Sequence, residues 1–374
     1  MKRALGFSLV ELMVAITLAL IVTAGVMSVF IGSKSAFQST SGVAALSDSG
    51  RFALNFLDNA VRDAGNMACG APIRTIFNVG PSSPLNTPAG PAPLLLFQPM
   101  TGFEAVNTGA GNAYGTVLTP GGTADWNAPP GWPAGLQAAF TSLASMPIKN
   151  NDVLVVRSST QGGTPAFVTA SAGNSLTLVN AAPATWNSQL AIVSDCVKSL
   201  VFQISSGGGS NTITHNVGGS PGNLSSTFPA TLTFDAGSQV TLLQTTAYYI
   251  GVGADGDGAL FSADLSPGNS FTSAVAPISP NELVPDIEAM QILYGIDTNQ
   301  SQTVGQYVTA DQVADFTTVM SVEIAVLAAG PIGSAPLPTA ARQFTLLGTQ
   351  VTPPIDTRVR QVFTITIAAR NMLP

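Results

Sequence analysis

The feature that most restricts this chain is the run FSLVELMVAITLALIVTAGVMSVFIG, which comes after the short basic leader MKRALG and carries a single charge, Glu11. From Phe7 to Ser33 it spans about 27 residues, more than the ~20 that cross the hydrocarbon core as a helix. Lys2 and Arg3 ahead of it favour a cytoplasmic N-terminus and export of the remainder of the chain. A cleaved secretory signal has a shorter apolar core with a small-residue cleavage site behind it; this segment is too long and continues into more helix. Glu11 is the anomaly. A carboxylate at the centre of a membrane helix costs roughly 2.5 kcal/mol or more, and such groups are usually functional and paired.

No proline interrupts the chain before Pro72. Ala53, Leu57, Ala60, Val61 and Ala64 keep helical spacing, with Phe52 and Phe56 four apart. Asp58 and Arg62 form an i,i+4 pair, and Gly65-Asn66 reads as a helix stop. The pattern predicts one helix from Phe7 to about Ala64, roughly 87 Å long at 1.5 Å per residue. Gly25, Gly32, Gly42 and Gly50 weaken it by about 1 kcal/mol each relative to Ala, so local melting in an assembly is expected.

Behind the helix the composition changes. Charged residues make up only 9% of the 374, while Gly (37) and Pro (26) are abundant, which suits a loop-rich β protein outside the cytoplasm. A net charge of -7 argues against nucleic acid as principal ligand, since that needs clustered Lys and Arg. From Cys69 to about Met146 the sequence reads as long surface loops. DVLVVRSS, LTLV, LAIVSD, LVFQIS, TLTF, QVTLL and TAYYIGVG come next as short strands of antiparallel hairpins, and RVRQVFTITIAARN alternates, with Phe363, Ile365, Ile367 and Ala369 on one face and Thr364 and Thr366 on the other. Cys69 and Cys196 are too few for a zinc site. In an exported chain they form one disulfide, closing a loop of about 127 residues and worth on the order of 4 kcal/mol; otherwise they are two buried thiols.

Several motifs suggest chemistry and do not complete it. Gly251 to Gly256 matches GxGxxG, but DGDGALFSADL offers a turn and a strand where a dinucleotide site needs a helix. Asp255 and Asp257 start an EF-hand-like loop that fails at Ala259 and Ser266. Asp297, Asn299 and Ser301 are read as a polar hairpin turn or a weak calcium loop, with Gln302 and Thr303 favouring the turn. Gly218 to Gly222 contains GxSxG around Ser220, but His215, the chain's one histidine, lies in the same Gly-rich loop without fixed geometry. Trp126, Trp132 and Trp186 read as loop-packing residues. The expectation is a non-enzymatic protein without cofactor or metal.

Gly6 before Phe7, Glu11 five residues after that junction, and the apolar stretch behind them resemble the type IV pilins. LVPDIEAMQILYGID, QYVTADQVADFTTVMSVEIAVLAA and RQVFTITIAARN, with RDAGNMAC and SDCVKSLVFQI as cysteine-bearing segments, resemble the PilW-type minor pilins. The resemblance implies an α+β pilin-like fold, with a long N-terminal helix packed on a large antiparallel β-rich head. It divides the chain into a leader (1–6), a membrane-spanning and filament-core half-helix (7–33), an amphipathic half-helix (34–66) and a head (67–374). It further implies cleavage by a prepilin peptidase between Gly6 and Phe7, N-methylation of Phe7, and pairing of Glu11 with a neighbour's N-terminal amine in the filament. The implied partners are other minor pilins, the major pilin and a tip adhesin. The chain would lie in the inner membrane with a periplasmic head, then in a pilus at the cell surface, where it would help initiate assembly at the tip and contribute to adhesion or twitching motility. The alternatives are a minor pseudopilin of a type II secretion system, or a tip adhesin binding a surface ligand through its head. Ser28, where many major pilins have a helix-bending proline, is a departure common among minor pilins.

Overall fold

The computed structural model describes residues 8–66, 98–127, 143, 145–159, 165–218, 223, 225–228, 233–266, 280–299, 301–338 and 340–372. Helix α1, Leu9–Asp63, is unbroken over 55 residues. The strands are β1 Met100–Ala105, β2 Ala113–Gly115, β3 Trp126–Asn127, β4 Val153–Ser159, β5 Ala166–Ala172, β6 Ser175–Leu178, β7 Leu190–Ser194, β8 Ser199–Gln203, β9 Thr212–Thr214, β10 Gln239–Val252 and β11 Gly258–Asp264. They continue as β12 Asn281–Pro285, β13 Ile287–Ile296, β14 Gln306–Val308, β15 Val319–Ala329, β16 Phe344–Leu346, β17 Thr349–Thr352 and β18 Arg360–Ala368. A long helix on an antiparallel β-rich head is the α+β architecture expected.

The sheet nearest the helix has the order β14-β13-β15-β18. Its β15 reads VMSVEIAVLAA and is buried along nearly its whole length, because α1 lies on one side and β16–β17 pack on the other. In β18 the expected alternation is present: Ile367 is fully buried, Phe363 and Ile365 pack against the helix-side core, and Thr364 and Thr366 face solvent. Leu46, Ala53, Leu57, Ala60 and Val61 form the matching stripe on α1, continued by the buried C-cap Ala64. Phe52 and Phe56 fall off that stripe and stay exposed, since 100° per residue turns them away from the sheet.

The glycines of α1 divide into two kinds. Gly25 and Gly32 face open space, whereas a Cβ at Gly42 would overlap Ser334 and one at Gly50 would overlap the Phe363 ring. The latter two are sites of close helix-to-head approach rather than weak points. Gly50→Val should therefore destabilise the head by about 1–3 kcal/mol through overpacking, while Gly25→Ala leaves head stability unchanged; thermal denaturation of both variants checks the contrast.

In the largest sheet, β10 joins two halves. Its first residues, Gln239–Leu242, pair with β7, and its later residues pair with β4 and β11. QVTLL and TAYYIGVG, expected as separate runs, are thus one 14-residue strand, because no turn residue lies between Leu243 and Thr246. The remaining expected strands form, except that TLTF falls partly outside the described residues. The loop reading of residues 70 to 146 needs correction: Met100–Ala105 is a fully buried strand, paired with β4 on one edge and β3 on the other. Gly102 and the polar Thr101 and Glu104 hid it from a search for apolar alternation.

Asn151 and Asp152 join the two main sheets. Asn151 Oδ1 accepts the Met290 N–H (2.7 Å), and Asp152 accepts the N–H groups of Ala105 (2.9 Å) and Ile292 (2.8 Å). The two side chains thereby act as ladder acceptors for β13 backbone donors that would otherwise be buried unpaired.

Candidate functional site

Two regions of the helix behave differently. Beyond Gly42 its inward face is covered by the head. Before Phe37 none of the described residues covers it: Leu9 is 74% exposed, Val29 70% and Phe37 73%. An apolar surface this long is stable only in lipid or against other helices. Fully covering each Leu, Ile, Val or Phe would contribute about 1.5–3 kcal/mol. Ser8 is the N-cap, its carbonyl accepting the N–H groups of Glu11 and Leu12 at 3.1 Å. That places Glu11 in the first turn of α1, where the helix dipole favours a carboxylate. Gly6 and Phe7 lie outside the described residues.

The C-terminal end of α1 is fastened to the head at two points, beside an ion pair within the helix. Asn371 Nδ2 donates to the carbonyls of Arg62 (2.8 Å) and Ala64 (3.3 Å), capping helix carbonyls from the far end of the chain. The Gly65 N–H reaches the Arg157 carbonyl at 2.8 Å, with Gly65 in the left-handed region at φ 77°, and Asp58 pairs with Arg62 at 2.7 Å as expected. Cys196 sits in the turn after β7, at φ 67°, and is disulfide-bonded. Cys69, the sequence's other cysteine, lies outside the described residues.

A dense charge network, absent from the sequence reading, fixes the start of β18. Arg360 makes bidentate pairs with Glu288 (2.6 and 2.8 Å) and with Asp356 (2.6 and 2.5 Å). Arg358 reaches Asp257 at 2.6 Å and Asp286 at 3.0 Å. Asp255, Asp257 and Asp286 come close enough to hold a cation together, but Arg358 already bonds two of them. The signal was available: in a chain with 9% charged residues, two arginines at the entry to a strand call for acids beside them.

The tempting motifs resolve into structural roles. Gly251 to Gly256 ends one strand and opens a turn into β11, so no helix N-terminus faces a phosphate there. Ala259 is buried in β11, and the Ser266 hydroxyl accepts the Thr245 N–H. Asp297 accepts the N–H groups of Asn299, Ser301 and Gln302, which is the polar-turn reading. His215 is a correction: it is wholly buried, stacked on Phe228 at 4.0 Å and edge-on to Phe202 at 5.6 Å. Burial pushes its imidazole down to about 4, so it stays neutral as an aromatic core residue. Ser220 lies outside the described residues. Trp126 and Trp186 are buried, Trp126 donating to the Asn151 carbonyl at 2.8 Å; Trp132 lies outside the described residues.

Glu104 is also missing from the sequence reading. It is 4% exposed, and burial, with Asp152 and Asp311 nearby, pushes its carboxyl up to about 10. The folded chain therefore retains a proton that the unfolded chain loses once pH passes the ordinary carboxylate range. Head stability should fall as pH rises from about 5 to 10, and Glu104→Gln, which imitates the protonated group, should flatten that slope; melting temperatures at several pH values check this.

An exposed apolar half-helix ahead of a β-rich head is the architecture expected from the sequence. Residues 247–371 match the family model described as type IV pilus-assembly protein W, and residues 1–27 match the prokaryotic N-terminal methylation motif. The chain thus carries a PilW-type region over about its last third and a prepilin-type motif at its N-terminus. Among solved structures, a type IV-like pilin from Thermus thermophilus is similar at 19% identity, over 35% of this chain and 67% of that one, with a TM-score of 0.21. No curated protein sequence matches the chain.

Proposed function

We propose that this protein is a minor pilin of a type IV pilus. It is inserted in the inner membrane with its head in the periplasm, cut by prepilin peptidase between Gly6 and Phe7, methylated at Phe7, and drawn into a priming complex at the pilus tip. The observation that carries the proposal is the division of α1, apolar and uncovered up to Phe37 yet seated on the head from Gly42 onward. Such a helix supplies an assembly surface without disturbing its own head. Glu11 then pairs with the N-terminal amine of a neighbouring subunit. The head, about 310 residues from 67 onward, suits a low-copy tip position shared with other minor pilins better than a position repeated along a dense filament.

Deletion of the gene should remove surface pili, and only protein retaining residues 7–33 should restore them. Normal pilus number with lost attachment alone would instead support the adhesin reading. Lost protein secretion with normal pili would support membership of a type II secretion system.

The same reading pairs Cys69 with Cys196, tying the exit of α1 to the turn after β7. Cys69→Ser and Cys196→Ser should then cost the same stability, on the order of 4 kcal/mol. Unreduced peptide mapping should recover the two cysteine peptides joined.

A further inference from the structure

Where the head meets the apolar half of α1, a tight turn points back along the helix toward its N-terminus. Residues 331–334 form a β-turn closed by the Ser334 N–H on the Pro331 carbonyl at 3.1 Å, with Gly333 at φ 86° in its third position. The base of the turn lies beside Gly42, which Gly330 and Ser334 both abut, whereas Gly333 lies near the side-chain nitrogen of Gln38. Gln38 precedes Gly42 by four residues, so the tip reaches about 6 Å further toward the apolar end than the base. Its outermost apolar residue, Ile332, is 75% exposed. The turn is braced: the Gly333 N–H donates to Thr357 Oγ1 at 2.9 Å, the Gly330 N–H to the Val359 carbonyl at 2.7 Å, and the Val359 N–H to Ser334 Oγ at 3.0 Å. Phe37 is exposed at the same level of α1. Ile332 is therefore no isolated surface residue but the rim of an apolar zone continuous with the uncovered half-helix.

What this zone faces follows from where α1 leaves the bilayer. Between Glu11 and Lys34 the helix carries no charge over about 22 residues, or about 33 Å, a match to the ~30 Å hydrocarbon core. Lys34 then marks the far boundary, and Gln38 with the turn beside it stands about 6 Å beyond, inside the headgroup layer. Lys34 lies four residues before Gln38 and so on the same face of α1, beneath the tip. The chain around the turn carries no acid to repel phosphates: between residues 330 and 355 the one charge is Arg342, in a protein of net charge -7. We propose that the turn 331–334 docks the head on the phospholipid surface from which α1 emerges, with Ile332 and Phe37 entering the interfacial layer and Lys34 meeting lipid phosphate. This rests on the membrane insertion of α1 set out under the proposed function. The contact holds the head at one tilt over the bilayer and is given up when the subunit is drawn into a filament.

The test uses the full chain in nanodiscs of mixed phosphatidylcholine and phosphatidylglycerol, one copy per disc, with a fluorescent dye placed through Ile332→Cys, Val179→Cys or Val22→Cys. Ile332 and Val179 are both exposed, so neither change disturbs the core, and Val179 follows β6 in a part of the head with a core of its own. Lipids spin-labelled at the headgroup should quench the Ile332 dye about twofold or more while sparing the Val179 dye. Lys34→Gln should reduce the quenching at Ile332. Lipids spin-labelled in the acyl chain should quench the Val22 dye, which reports insertion of α1 independently. Quenching at Val22 with none at Ile332 would overturn the docking and leave insertion standing; no quenching at Val22 would overturn both. Equal quenching at Ile332 and Val179, or quenching at Ile332 unchanged by Lys34→Gln, would also overturn the proposal. A change at Ile332 that appears only in discs carrying several copies would do so too, by assigning the zone to a second chain in place of lipid.

Discussion

Glu11→Ala should leave the chain in the inner membrane at normal levels while reducing its recovery in sheared pili by about a hundredfold or more. Two effects place a carboxylate in the first turn of α1. Its interaction with the helix dipole contributes only about 0.3–1 kcal/mol at an exposed site. Pairing with a desolvated amine is larger, since removing one partner of a buried ion pair costs about 3–5 kcal/mol. The exposed residues around it, Leu9 and Met13 among them, supply the apolar surroundings in which the larger effect operates once helices pack. Glu11→Gln separates the two: it keeps a hydrogen-bond acceptor and loses the charge, so it should rescue incorporation only weakly. Incorporation of the alanine variant at wild-type levels would leave the dipole as a sufficient reason for Glu11 and remove the pairing argument. Quantitative immunoblots of membrane and sheared-pilus fractions read both quantities.

Arg360→Met should destabilise the head by about 3–5 kcal/mol. The Arg360 side chain is 6% exposed and that of Glu288 9%, so deleting the guanidinium leaves this buried acid with only the longer Arg358 contact at 3.8 Å. Asp356, 28% exposed, is left closer to solvent and contributes less. Arg360→Lys retains the charge but loses the forked geometry that meets both carboxylates, and should recover only part of the loss. Because β18 contacts α1 through Phe363 and Ile365, the same variant should loosen the helix's seat and speed hydrogen exchange of amides in Leu46–Val61. Denaturant unfolding of the two variants and exchange of the first provide the measurements.

What the sequence disclosed depended on how far apart the interacting residues are. The helix, its stop at Gly65 and the Asp58–Arg62 pair are local, and periodicity alone displays them. The alternation of β18 is local too, which is why the faces of Phe363 and Thr364 were readable before any partner strand was known. β1 was missed because its burial comes from pairing with β4, some 50 residues on, and not from its own apolar content. The Asn151–Asp152 joint and the Arg360–Glu288 pair link residues 47 to 140 positions apart; only the scarcity of charge hinted that each acid had a buried task. His215 was misjudged for the same reason, since Phe202 and Phe228 fix its ring from outside the glycine-rich segment that suggested mobility. Gly42 and Gly50 looked like helix weaknesses until Ser334 and Phe363 were found against them.

The central claim is that the uncovered half of α1 enters a filament after the chain is cut ahead of it. Intact-mass and N-terminal peptide spectra of protein recovered from sheared, washed pili test that claim most directly. The predicted result is a chain beginning at N-methylated Phe7, present at low copy beside the major pilin. A chain still carrying Met1 in assembled pili, or its complete absence from pili that are otherwise normal, would contradict it.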